Sequence, residues 1–412
     1  MTPTVPMRTA VTPQRRRVAL FAAFFVTGSS MATWVSRTPA IRDAISASTA
    51  EMGLVIAGLS AGSVLGISVA GMLVARRGAR LVVLCGMVAI VAGVMVVALG
   101  TAADQGWLVA TGLAFFGYGM GSGEIGLNVE GVDVEQALKR TVVPSLHGCY
   151  SLGIAVGGLG GLAASTAGVS VVAHLAAVAV AAAAVSTWLV ANLAPAVGQE
   201  AATSGSHGRA SLGGSITGFL SVWTERRTLA ICVIVLGMAL AEGSANDWLP
   251  LIMVDGFALS AATASLVYAL FGVSMAIGRF GGGYFLDRFG RAQVMVASAA
   301  LAVLGIGTVA FAPTPALGAA GVFLWGVGAS LGFPVALSAA GDEPVGAARR
   351  VSAVATAGYT AFLVGPPVLG FVGEHVGLRS AIVVVLVAVA ISALFSRAVS
   401  KPTALSRQQS SV

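Results

Sequence analysis

The sequence predicts an all-α polytopic membrane protein, with 12 transmembrane helices in two pseudo-symmetric six-helix bundles. Three observations carry that expectation. The 412-residue chain is 57% hydrophobic and only 9% charged, with a mean hydropathy of +0.92, whereas soluble domains carry roughly 25% charged residues. A spanning helix needs about 20 mostly apolar residues, and runs of that length recur along the whole chain with short connections. One loop pattern also occurs twice, 212 residues apart: Gly71-Met-Leu-Val-Ala-Arg-Arg-Gly-Ala-Arg80 and Gly283-Tyr-Phe-Leu-Asp-Arg-Phe-Gly-Arg291. Gly283 matches Gly71, Arg288 matches Arg76 and Gly290 matches Gly78. Each loop suits a tight hairpin between two membrane helices, with small residues for close approach, charges at the water line and a turn glycine. A repeat at the same place in each half implies duplicated architecture.

Residues 1–16 read as a polar cytoplasmic tail. The first span, 17–35, follows Arg15, Arg16 and Arg17 and ends near Trp34, an expected interface anchor. Its flanks resemble those of a signal peptide. Removing it would leave an odd number of spans, so it is expected to be retained. After a short connection through Arg37, Pro39 and Arg42, the spacing of Ser48 and Glu51 forms a capping box and opens the second span, which runs to residue 75. Spans three and four cover 81–99 and 107–128, and a polar loop with Glu130, Asp133, Glu135, Lys139 and Arg140 follows. The fifth span starts near 143 and is rich in glycine from 153 to 161; the sixth covers 169–193. Residues 17–193 thus make the N-terminal bundle. In the central cytoplasmic loop, 194–227, the composition shifts to Gly, Ser and Ala, and the mildly apolar stretch 215–223 suits a membrane surface. The C-terminal bundle, 228–396, is read as spans 228–251, 261–286, 292–312, 317–339, 351–372 and 380–396, before a cytoplasmic tail at 397–412.

Charge placement fixes an expected orientation. The formal net charge is +7, but the basic residues cluster beside apolar runs, so topology explains them and nucleic acid is not an expected partner. With both termini in the cytoplasm, Arg76, Arg77, Arg80, Lys139, Arg140, Arg226, Arg227, Arg288, Arg291, Arg349 and Arg350 fall inside. Only Arg37, Arg42 and Arg379 fall outside. The expected location is the cytoplasmic (inner) membrane. Cys85, Cys149 and Cys232 lie in apolar runs and read as packing residues. The chain has no phosphate-binding loop, zinc-ligand spacing or nucleophile elbow, so no enzyme activity, cofactor or metal is expected.

At this point the chain resembles the major facilitator superfamily over residues 17–396. The superfamily loop signature, Gly-x-Leu-Ala-Asp-Arg-x-Gly-Arg, is matched by Gly283, Asp287, Arg288, Gly290 and Arg291. Its first-half copy keeps Gly71, Arg76 and Gly78 but has Ala75 at the aspartate position. The resemblance implies a monomeric secondary transporter working by alternating access, with these loops gating one side and Asp287 carrying more of that gate than its counterpart. Three patterns also resemble the MosC-like branch: Trp34-x-x-Arg37-x-Pro39-Ala-Ile-Arg42-Asp43, Asn128-Val-Glu-Gly131 with Pro144-Ser-Leu-His147, and Glu242-Gly-x-x-x-Asp247-Trp248. Gly153-Ile-Ala-Val-Gly157 and Gly365-Pro366 resemble the antiporter motif only faintly, and small-residue spacing of this kind is general helix packing.

Ionisable residues inside a membrane cost about 2.5–3.5 kcal/mol on insertion scales and are functional candidates for that reason. Glu242, midway along span seven, is the first candidate to carry a proton or touch substrate, with Asn246 one turn on and Asp247 beside it. Glu124, with Asn128 on the same face, is the second. His147 and Tyr150 at the start of span five and Arg279 in span eight complete the set. For Trp325, Tyr268 and Tyr359, packing is the expected role. The function expected is proton-coupled transport of a small polar organic solute, sugar-like or a related metabolite, through the lipid bilayer. The alternatives are a drug or metabolite efflux antiporter and a non-transporting membrane sensor.

Overall fold

A computed structural model describes residues 11–140, 142–199, 222–343 and 346–400. The tail at 1–10, the tail beyond 400 and most of the central loop, including 215–221, lie outside the described residues. In the first half the helices are α1 (Pro13–Val35), α2 (Thr38–Ala44), α3 (Thr49–Arg77), α4 (Ala79–Ala102), α5 (Gly106–Leu138), α6 (Val143–Thr166) and α7 (Val171–Ala191). The second half has α8 (Arg226–Phe257), α9 (Ala261–Phe289), α10 (Arg291–Phe311), α11 (Pro315–Ala329), α12 (Gly332–Ala340), α13 (Ala347–Val376), α14 (Leu378–Ala381) and α15 (Val383–Leu394), with a 3₁₀ turn at Ser396–Val399. Ten of the described spans are long and apolar enough to cross a membrane. The 33-residue α5 and the pair α14–α15 complete twelve crossings, α11 and α12 together forming one.

Local chemistry sets the helix ends. The Thr12 side chain accepts from Arg15 N ahead of Pro13 at the first helical position of α1. Both halves of the expected capping box form at Ser48 and Glu51. The hairpin glycines Gly78 and Gly290 share φ +80°, a conformation strained for residues with a Cβ, and each ends one helix and begins the next. Within each hairpin, then, the two loop copies are built alike.

Several elements differ from expectation. α5 does not stop at 128; it runs on to Leu138, because Glu130 and Asp133, read as loop residues, bind Arg16 and let the helix continue. The short connection after the first span holds the seven-residue helix α2. Trp34 is no interface anchor: it is 1% exposed, packed in the core. Span ten breaks at Ser330 and Leu331 into α11 and α12. Gly71 and Gly283 make no close helix approach, since a Cβ on either would meet nothing within 4 Å.

The two halves meet along two seams. At one, α6 lies on α9 along most of its length, with Gly158 against Ala269 and Gly272 against Ala155. At the other, α3 meets α13 only in the half remote from the termini. There a Cβ on Gly53 would sit 2.8 Å from Pro366 O, and Ser60 Oγ donates to Phe362 O at 2.7 Å. The same end is tied by Arg42 Nη2 to Asp255 Oδ1 at 3.1 Å, Ala50 N to Glu374 Oε2 at 3.2 Å and Ser265 Oγ to Ser36 O at 3.1 Å. The molecule is therefore closed at the end away from the termini.

Candidate functional site

A cavity of 630 Å³ lies between the halves. Its walls reach from Met31 and Asp247 at the closed end to Val143, Leu286, Arg291 and Ser338 near the termini end. All eight candidate binding residues, Glu124, Asn128, His147, Tyr150, Glu242, Asn246, Asp247 and Arg279, line it. They come from α5, α6, α8 and α9, so four helices of both bundles converge on one polar wall.

Arg279 organises that wall. Its Nη2 donates to Glu242 Oε1 at 2.7 Å, and Nη1 donates to Ser151 Oγ at 2.7 Å and to His147 O at 3.5 Å. Glu242 sits on α8 and Arg279 on α9, both in the second half, whereas Ser151 and His147 sit on α6 of the first. One guanidinium thus spans an ion pair within its own bundle and a hydrogen bond to the other. Its five fixed donors allow that double engagement. The His147 ring packs edge-on against Phe24, with centroids 5.0 Å apart.

The remaining polar groups differ in their satisfaction. Asn246 Oδ1 accepts from Tyr268 OH at 3.0 Å, so its role includes holding α8 to α9. Tyr150 OH has a weak contact to Met120 Sδ at 3.9 Å. Among the described residues, Glu124 and Asp247 make no hydrogen bond and line the open cavity, whereas Asn128 Oδ1 is buried without a partner. Asp247 is only 5% exposed. Glu124 does not reach water at a helix end as the shorter span allowed: with α5 extended to Leu138 it lies more than three turns inside.

Two of the three aromatic side chains expected to pack do so. Tyr268 and Trp325 are fully buried, Trp325 Nε1 donating to Ala241 O at 3.1 Å. Tyr359 instead lines the cavity, as do Phe333 and Phe362, the three rings grouped together with Phe362 against Gly243 of α8. Phe333 and Phe362 carried no sequence signal, because aromatic residues on an apolar helix read as core until the neighbouring helix is known to stand away.

The loop residues divide. Arg291 Nη1 binds Asp342 Oδ1 at 2.6 Å, and Arg227 Nη2 binds Asp342 Oδ2 at 2.9 Å. Asp287 and Arg288 are exposed; among the described residues Arg288 reaches only Tyr284 OH at 3.3 Å and the Phe289 ring on its own helix. In the first half, Arg76 O accepts from Gln199 Nε2 at 3.1 Å. The counterpart of Asp342, 212 residues earlier, is Glu130, which binds Arg16 Nε at 2.7 Å. The duplication therefore extends to an ion pair at the foot of each bundle.

Comparison with known proteins agrees with this architecture. The family model described as Major Facilitator Superfamily matches residues 19–344 and 231–411. An uncharacterised MFS-type transporter of Yersinia pestis is 28% identical over 383 residues, covering 92% of this chain and 95% of its own. Membrane protein MosC of Rhizobium meliloti is 26% identical over 390 residues, covering 93% and 90%. The crystal structure of a mutant of the nucleoside transporter NupG superposes with a TM-score of 0.70 at 18% identity, covering 94% of this chain and 98% of that one, a likeness of fold alone. With the matched family model spanning both halves, the chain belongs to the major facilitator superfamily of membrane transporters.

Proposed function

We propose that this protein is a proton-coupled secondary transporter, moving a small polar organic solute across the cytoplasmic membrane by alternating access. The observation that carries the reading is Arg279 between Glu242 on its own bundle and Ser151 on the other. A carboxylate paired with an arginine in a membrane cavity is a proton acceptor, and a proton on it frees the guanidinium for another acceptor. The acceptor can be Glu124, within electrostatic reach of both Arg279 and Glu242, or a group on the solute. Either exchange alters the tie between α9 and α6, which is the seam on which the bundles rock. Proton binding and bundle movement are thereby linked at one residue.

In this reading the open termini end faces the cytoplasm, and both termini lie there. Gly71, Arg76 and Gly78 with Gly283, Asp287, Arg288, Gly290 and Arg291 form the gating loops. Asp287, exposed here at the open end, takes a partner when that end closes. The protein works as a monomer, since one chain holds the whole cavity. The polar wall favours a hydrophilic solute over the drug-export reading.

The test is a solute screen in proteoliposomes with an imposed pH gradient, comparing wild type with Glu242→Gln and Glu124→Gln. Gradient-driven flux is expected in wild type, with loss of at least about 100-fold in Glu242→Gln, the size of effect a positioned proton-transfer group supplies. Flux that keeps its gradient dependence in both variants would sink the coupling proposal.

A further inference from the structure

We infer that the solute is a small organic cation, an amine whose ammonium is taken by the carboxylates of Glu124 and Asp247; the inference rests on the transporter reading only for the ligand's passage, not for its binding. The charge inventory of the cavity carries it. The ionisable side chains on its walls are Glu124, Glu242, Asp247, His147, Arg279, Arg291 and the phenols Tyr150 and Tyr359. Arg291 is bound to Asp342 at the rim, and Arg279 to Glu242. Two carboxylates are then left without a cation. Even with His147 counted as a cation, three carboxylates face two cations once the rim pair of Arg291 and Asp342 is set aside.

A carboxylate in a low-dielectric site is costly unless paired or protonated. Asp247 is 5% exposed, aimed into the cavity and without a hydrogen-bond partner among the described residues. A carboxylate that lines the cavity without a partner in this way is what an ammonium donor completes. Tyr150, on the cavity wall, lies within electrostatic reach of both Glu124 and Asp247. Glu124 also lies within electrostatic reach of Tyr359, and the Phe333 ring stands beside those of Tyr359 and Phe362 on the cavity lining. Aromatic faces beside a carboxylate suit a cation, which they attract through the ring quadrupole. An anionic solute has the reverse problem: the Arg279 guanidinium is already engaged by Glu242, and the unpaired carboxylates repel it. Ammonium and protons compete for the same oxygens, so amine binding weakens as the pH is lowered.

The test measures binding in detergent, where no gradient is needed. Purified protein is titrated at pH 8 with matched sets of probes, glucosamine, glucose and glucuronate, then phenethylamine, 2-phenylethanol and 3-phenylpropanoate, within a wider panel of organic amines. Stabilisation against heat by amines alone is the expected result. Glu124→Gln and Asp247→Asn are expected to weaken amine binding by about tenfold or more, as loss of one partner of a desolvated charge pair does. Wild-type affinity is expected to fall by a similar factor from pH 8 to pH 5, which keeps the test decisive where a variant fails to fold. Preference for the neutral or acidic probes, no binding by any amine, or an affinity indifferent to both variants and to pH overturns the inference. An amine that binds without gradient-driven flux removes the coupling proposal and leaves this one standing; flux of neutral sugars alone does the reverse.

Discussion

At the scale of single residues, Glu242 and Arg279 are 37 positions apart on neighbouring helices and become one unit in the fold. The sequence marks each as an expensive intramembrane charge, but it contains no register between α8 and α9 from which the pairing follows. Side chains 10% and 12% exposed pay little of their desolvation back to water, so removing one partner strands the other. A double-mutant cycle with Arg279→Met and Glu242→Gln is expected to show this in thermal unfolding in detergent. Each single change lowers stability more than the double change does, with a coupling energy of about 1–3 kcal/mol. Additive effects would mean that the pair contributes no interaction of its own. The neighbouring residues were unequally legible. Asn246 was visible as a polar residue one turn from Glu242, whereas its bond to Tyr268 depends on a helix contact that no periodicity encodes.

At the scale of elements, α5 is the clearest case of a helix whose end is set from elsewhere in the chain. Hydropathy stops at Asn128, where a dense run of charge begins, and by local criteria the helix should stop with it. It continues because Glu130, fully buried, accepts from Arg16 Nε at 2.7 Å and from Ala194 N at 3.1 Å, joining the start of α1 and the chain after α7. Those partners lie 114 and 64 residues away, so the tertiary contact overrides the local signal. The hairpin glycines, by contrast, were fully legible, since a positive φ between two helices is a local demand. The dependence of α5 on its acid is testable. Glu130→Ala leaves Arg16 without its buried partner and Ala194 N without an acceptor, a loss of about 1–3 kcal/mol per unsatisfied group. Hydrogen exchange in 130–138 is expected to accelerate at least about tenfold while exchange in α3 and α4 stays unchanged. Uniform acceleration throughout the first bundle would show that the ion pair holds the bundle rather than the end of α5.

At the scale of the whole molecule, the twelve crossings and the two-bundle division follow from composition and duplication, but the state of the transporter does not. Which end is closed depends on where α3 touches α13, and both helices carry small residues along much of their lengths. The contact forms only at the end away from the termini, where Gly53 approaches Pro366 and Gly370 so closely that a side chain has no room. The ion pair of Arg42 on α2 with Asp255 on α8 joins the two halves at the same end on a partly exposed surface, where such a pair contributes about 0–1 kcal/mol. Backbone proximity, more than charge, therefore holds this end shut. Gly53→Val is expected to force α3 and α13 apart, because its Cβ would stand 2.8 Å from Pro366 O and backbone cannot yield as a side-chain tip can. Asp255→Asn is expected to act in the same direction but only about two- to fivefold on the population ratio, the equivalent of its smaller energy. Spin labels at Leu54 and Phe371, both exposed, report the separation in a cysteine-free background. A longer distance in Gly53→Val than in Asp255→Asn, and in both than in wild type, is the ordering that packing control demands. The opposite ordering would assign the closed end to its ion pair, and an unchanged distance in both would leave the α6–α9 seam as the element that fixes the state.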